Sequence, residues 1–152
     1  MSLTVREETP LQDEIEALLK QSDAVAAKLY PDAYRQPIDP KALAAPGVHL
    51  FVARREGEAA GCCALIARDA GAAELKRMIV GERFRRQGVG AALLRAAEQG
   101  ARDLGVSVIR MEVGVKNEEG YQLYLSAGFV ACEAFAPYQP SPISRFLEKR
   151  LS

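Results

Sequence analysis

Between Glu74 and Gly105 the chain passes from a strand pattern, through a short arginine-rich loop, into a helix pattern, and this join limits the folds open to it. Glu74-Leu-Lys-Arg-Met-Ile-Val80 reads as a strand; by alternation Glu74, Lys76, Met78 and Val80 share one face, and Leu75, Arg77 and Ile79 the other. Val89, Leu93, Ala97, Ala101 and Leu104 then recur every three or four residues, which predicts a helix over 88–104. Gly105 occupies the position that ends helices, and Gly100 inside the helix is expected to cost about 1 kcal/mol relative to alanine. Gly88 and Gly90 open this helix. Bare backbone there lets several N–H groups converge on an anion, where the helix dipole also favours negative charge. Lys76, Arg77, Arg83, Arg85 and Arg86 surround the loop with a single acid, Glu82, although the 20 basic and 20 acidic residues of the chain cancel. A diphosphate would account for that local excess.

The loop is neither the Gly-x-x-x-x-Gly-Lys-Ser/Thr of triphosphatases nor the three-glycine dinucleotide fingerprint. Elsewhere the pattern predicts a strand over 3–7 and a helix capped by Thr9, with Pro10 at its first position and Gln12 closing a capping box. Four prolines between 31 and 47 suggest a binding loop or a connector, with one helical turn after Asp39-Pro40. Strands follow over 48–54, 59–67 and 73–80, then the helix, a strand over 106–113, a helix over 118–127, and strands over 129–135 and 143–149. This order gives an α/β chain: a mixed, mostly antiparallel sheet flanked by helices, in one domain spanning 1–152.

Composition removes several classes. Zero net charge argues against a nucleic-acid binder, and no apolar run could span a bilayer. The start, MSLTVREE, turns charged before a signal-peptide core could form. Three cysteines make no disulfide framework, and a single histidine, His49, leaves no metal site of conventional spacing. A reduced cytoplasm is the expected location. Cys62 and Cys63 read as small core residues, and His49 as an edge residue.

The segment Arg85-Arg-Gln-Gly88-Val-Gly90 matches Arg/Gln-x-x-Gly-x-Gly/Ala and resembles the acetyl-coenzyme A motif of GNAT-type N-acetyltransferases. Asn117-Glu-Glu-Gly-Tyr-Gln-Leu-Tyr124-Leu-Ser-Ala-Gly128-Phe129 resembles a second motif of that family, with Gly120 where the family commonly has alanine. The two motifs occur in the right order with the right elements between them. Glu-Leu-Lys-Arg-Met and the later Phe135-Ala-Pro-Tyr138 resemble a bacterial acetyltransferase subgroup, which names no substrate.

The resemblance implies a GNAT fold in which the acyl carbon of acetyl-CoA reaches the middle of the sheet between the fourth and fifth strands. Met78, Ile79 and Val80 would run beside the pantetheine arm, their main chain also serving the oxyanion. Arg85 and Arg86, with the N–H groups of Gln87, Gly88, Val89, Gly90 and Ala91, would hold the phosphates. Asn117 would contact the arm or cap its helix. Tyr124 would protonate the thiolate, or simply pack. With no useful histidine, a carboxylate must accept the amine proton, directly or through water, and Glu74 is the candidate; the alternative is an ordinary ion pair. Tyr34 and Tyr138 are candidates for the acceptor side.

The expectation is therefore an acetyl-CoA-dependent N-acetyltransferase acting on a small primary amine, or an amino-acid-like acceptor, by direct attack in a ternary complex, with no metal. A non-catalytic acyl-CoA-binding domain and a protein Lys or N-terminal acetyltransferase are the alternatives. Neither a nucleic-acid nor a membrane partner is expected, and a homodimer is open.

Overall fold

The computed structural model describes residues 2–30, 39–68 and 70–152. Its elements run β1 (Leu3–Glu7), α1 (Asp13–Leu29), α2 (Pro40–Leu43), β2 (Val48–Arg55), β3 (Glu58–Ala67), β4 (Ala72–Val80), a 3-10 turn (Glu82–Phe84), α3 (Val89–Asp103), β5 (Val108–Gly114), α4 (Glu118–Ser126), β6 (Val130–Ala131) and β7 (Ser144–Arg150). The strands form one seven-stranded sheet in the order β1-β2-β3-β4-β5-β7-β6. Every neighbouring pair is antiparallel except β4 and β5. This is the mixed, mostly antiparallel sheet that the sequence pattern predicts.

Alternation along the central strands divides the core in two. Phe51, Cys63, Leu65 and Leu75 project to one face and pack with Val89, Leu93 and Ala97 of α3. Leu50, Val52, Cys62 and Ala64 project to the other and pack with Ile15, Leu18 and Leu19 of α1. The adjacent cysteines thus serve opposite cores, each fully buried and free. Burial alone pushes the Cys62 thiol up to about 12, as expected of an inert core residue.

Three local expectations change. The first helix starts at Asp13 rather than Pro10, and Gln12 at its cap position makes no side-chain capping bond. Thr9 Oγ1 instead accepts from the Leu11 amide, while Arg54 draws Glu8 and Gln12 into a hydrogen-bonded cluster ahead of the helix. The predicted strand over 129–135 shrinks to two residues. After Val130 and Ala131 pair with Glu148 and Leu147, the chain turns away and stacks Phe135 and Tyr138 on Phe146. Gly100, expected only as a helix penalty, is where the Phe51 ring meets α3: a Cβ there would stand 2.6 Å from Phe51 Cζ.

Candidate active site

The sheet opens at its centre. Strands β4 and β5 pair only through Ala72–Val108, Ala73–Ile109 and Glu74–Arg110. Beyond Glu74 the two neighbours part, so the main chain of β4 from Leu75 onward has β3 on one side and a fork on the other.

A bulge shapes the free edge. Cys62 pairs with Ile79 but Ala64 pairs with Lys76, so Cys63 faces two residues, Arg77 and Met78. Arg77 takes up the extra residue at φ 59°, a left-handed conformation uncommon for a side chain of its size. The bulge reverses the alternation beyond it and corrects the expected faces. Glu74 and Lys76 lie on the α1 side with Ile79, whereas Met78 and Val80 pack on the α3 side with Leu75. Ile79 is also turned away from the fork through its carbonyl, since a Cβ on Gly61 of β3 would come within 2.6 Å of it. The Val80 carbonyl already accepts from Gln21 Nε2 of α1 at 3.1 Å.

The loop after β4 presents donors. Gly88 caps α3 at φ 79° with nothing within 4 Å of an added Cβ, so conformation rather than space requires glycine there. Gly90 has the other reason: a Cβ would lie 2.7 Å from Leu123 Cδ2 of α4. The carbonyl side of the loop is tied down by Arg55 Nη2 on Gln87 O (3.3 Å) and Gln87 Nε2 on Arg83 O (3.2 Å). Among the described residues the amides of Gln87, Gly88, Val89, Gly90 and Ala91 donate to no protein acceptor, and α3 has no side-chain cap. Arg85 and Arg86 are exposed beside them; Arg85 lies 3.7 Å from Glu119.

Glu74 sits at the fork, 1% exposed. Arg68 Nη2 donates to one carboxylate oxygen at 2.5 Å, the Tyr138 hydroxyl donates to the other, and Lys76 Nζ stands 4.0 Å from that second oxygen. Lys76 lies 5.5 Å over the Tyr138 ring, and burial lowers its ammonium pKa, partly offset by Glu74. The structure thus brings Glu74 and Tyr138 together. Tyr34 lies outside the described residues.

Tyr124 is on the opposite face, in the α3-side core, 6% exposed and edge-on to Phe129. Its hydroxyl has no hydrogen-bond partner among the described residues, and burial, with a smaller contribution from Cys63, holds its pKa well above the usual phenol range. Asn117 caps α4, its side chain accepting from the Gly120 amide at 3.0 Å. A Cβ at 120 would lie 2.6 Å from Asn117 Nδ2, so an alanine there would require the Asn117 side chain to shift. Sequence reasoning missed Arg68, Gln21 and Arg55. The hairpin between β3 and β4 could have revealed Arg68, because pairing Ile66 with Glu74 sets Arg68 on the same face two residues along.

Residues 13–129 match the model of the acetyltransferase (GNAT) family. The chain is 37% identical over 151 residues, 99% of each protein, to a protein of Azospirillum brasilense named IAA acetyltransferase. Its structure is similar to that of a protein from Klebsiella pneumoniae named for acyl-CoA N-acyltransferase activity, with a TM-score of 0.84, 33% identity, and 99% and 98% of the two chains covered. The PaiA N-acetyltransferase of Thermoplasma acidophilum, solved with coenzyme A, shares the fold at a TM-score of 0.76 and 19% identity, covering 99% of this chain and 100% of that one.

Proposed function

This chain belongs to the GNAT acetyltransferase family, and from that membership we propose that it moves the acetyl group of acetyl-CoA to the primary amine of a small acceptor by direct attack in a ternary complex. Members of the family use acetyl-CoA as the acetyl source. One observation carries the reading: undonated amides at the start of α3 adjoin a sheet that opens between β4 and β5.

The residues present suit such a molecule. The amides of Gln87, Gly88, Val89, Gly90 and Ala91, with the helix dipole behind them, would hold the diphosphate, and Arg85 and Arg86 would balance its charge. Main-chain groups of Met78 and the Val80 N–H would line the arm along the free edge of β4. An N–H turned toward the fork by the bulge would carry the developing negative charge on the thioester oxygen.

A lysine-like amine is almost wholly protonated near neutral pH, so attack requires a proton acceptor. Glu74 would be its final destination. Tyr124, across the sheet, would donate to the departing thiolate, its burial keeping it protonated at working pH. Base and acid on opposite faces of one fork match a reaction in which the amine enters from one face and the thiol leaves toward the other.

A thermal melt tests the first half. Acetyl-CoA at a hundredfold excess over its dissociation constant adds about 2.7 kcal/mol, equivalent to roughly 8 °C here. A panel of small primary amines, monitored by free-thiol release, tests the second; the relative's name makes IAA a further compound to test beside the amines. A melt shift without thiol release for any amine would support a binding domain instead, and no shift would remove the proposal altogether.

A further inference from the structure

We propose that Tyr138 is a catalytic proton relay, its hydroxyl accepting the acceptor amine's proton as it passes its own to Glu74; this rests on the reading of Glu74 as the base. The argument begins with access. Glu74 is 1% exposed, and both of its oxygens are engaged, one by Arg68 and the other by Tyr138. Bringing an amine against the carboxylate itself would mean breaking one of those bonds. Among the described residues, three side chains surround the carboxylate and could connect it to the acceptor side: Arg68, Lys76 and Tyr138. A guanidinium and an ammonium only donate, so neither can receive a proton from an incoming amine. A phenol both donates and accepts, and Tyr138 already points its proton at Glu74.

The surroundings suit a hydroxyl that never becomes an anion. The Tyr138 pKa is held above the usual phenol range by burial first and by the bond to Glu74 second. The ring is fixed edge-on to Phe135 at 5.4 Å and tilted against Phe146 at 6.1 Å, so the oxygen is positioned by aromatic packing rather than by the bond it would have to exchange. The side chain is half-buried, unlike the carboxylate behind it.

The step balances as follows. The alkylammonium proton goes to Tyr138 Oη as the Tyr138 proton goes to the second Glu74 oxygen, which frees the nitrogen lone pair. The lone pair forms the C–N bond while the carbonyl π electrons move onto oxygen, and the nitrogen then releases its second proton to solvent. The carbonyl re-forms as the C–S bond breaks, and the thiolate takes its proton from Tyr124. Glu74 then returns its proton through the same hydroxyl to solvent, and Tyr124 is reprotonated.

The test is the Tyr138→Phe variant, with Glu74→Gln beside it, assayed with an alkylamine found in the amine screen and with hydroxylamine, a weakly basic nucleophile. The phenylalanine keeps the aromatic packing. Near neutral pH its kcat for the alkylamine should fall about 100-fold, with KM for both substrates within about threefold of the parent. The deficit should shrink in alkaline buffer and be small for hydroxylamine, where little proton removal is needed. A packing defect would instead slow both nucleophiles equally at every pH, and that result, or an unchanged kcat, overturns the relay. A slow Glu74→Gln beside a normal Tyr138→Phe removes the relay and leaves the base. If both variants are normal, the base reading falls too, and if no amine is acetylated the relay falls with the transferase reading. Should Glu74→Gln fail to fold, the two-nucleophile pH comparison on Tyr138→Phe decides alone.

Discussion

Replacing Tyr124 by phenylalanine removes one oxygen from a packed core, and two consequences of opposite kind follow. The Tyr124 side chain is 6% exposed, but its hydroxyl is not among the buried polar atoms left without a partner, so its removal neither breaks a hydrogen bond among the described residues nor relieves a stranded donor. Phenylalanine keeps the edge-on contact with Phe129 and leaves no polar atom stranded. For 152 residues the unfolding entropy near the melting point is about 320 cal/mol/K, so each kcal/mol moves Tm by about 3 °C. The variant should melt within about 3 °C of the parent. Loss of the general acid should lower kcat by about 100-fold or more, with the acetyl-CoA dissociation constant within about twofold of the parent. Calorimetry and thiol-release kinetics on one preparation measure both. A Tm several degrees lower would show that the hydroxyl holds the fold together, and an unchanged kcat would refute its role as acid.

Two further expectations concern stability. Gly100→Ala improves helix propensity by about 1 kcal/mol but drives a methyl group to 2.6 Å from Phe51 Cζ; overpacking of about 1–3 kcal/mol should prevail and lower Tm, and a higher Tm would contradict the packing argument. At the entry to α1, a hydrogen bond from Arg54 lowers the Glu8 pKa, and the Ala59 amide followed by Arg54 lowers that of Glu14. Carboxylates depressed in the folded state contribute stability above their ordinary value of 4.5, which is lost as pH falls through the folded values. Urea unfolding at stepped pH should therefore show the parent losing more stability than Arg54→Ala below about pH 4.5, and parallel curves would dismiss the linkage.

How far the site could be read from the chain depended on whether its determinants were local. The strand, arginine loop, paired glycines and helix are neighbours in sequence, and each carries its own signature of periodicity, charge or backbone freedom, so the start of α3 was legible. The same holds for the Asn117 cap, whose partner is three residues away. The bulge at Arg77 was not, because it is created by the register of β3 against β4 and no glycine marks it. That one extra residue moved Met78 and Val80 to the face opposite Glu74. Arg68 was legible from the hairpin pairing of Ile66 with Glu74, whereas Gln21 was hidden because 59 residues separate it from Val80. The short β6 goes with the stacking of Phe135 on Phe146 of β7, where tertiary packing overrides strand propensity.

The claim on which the rest depends is that main-chain donors at the start of α3 bind the coenzyme's diphosphate. Amide resonances of the 15N-labelled protein, followed on adding coenzyme A and separately on adding pantetheine, which has no diphosphate, test it most directly. The account predicts large shifts at Gln87, Gly88, Val89, Gly90 and Ala91 with coenzyme A and small ones with pantetheine. Saturable binding of coenzyme A that leaves those five resonances in place would contradict it.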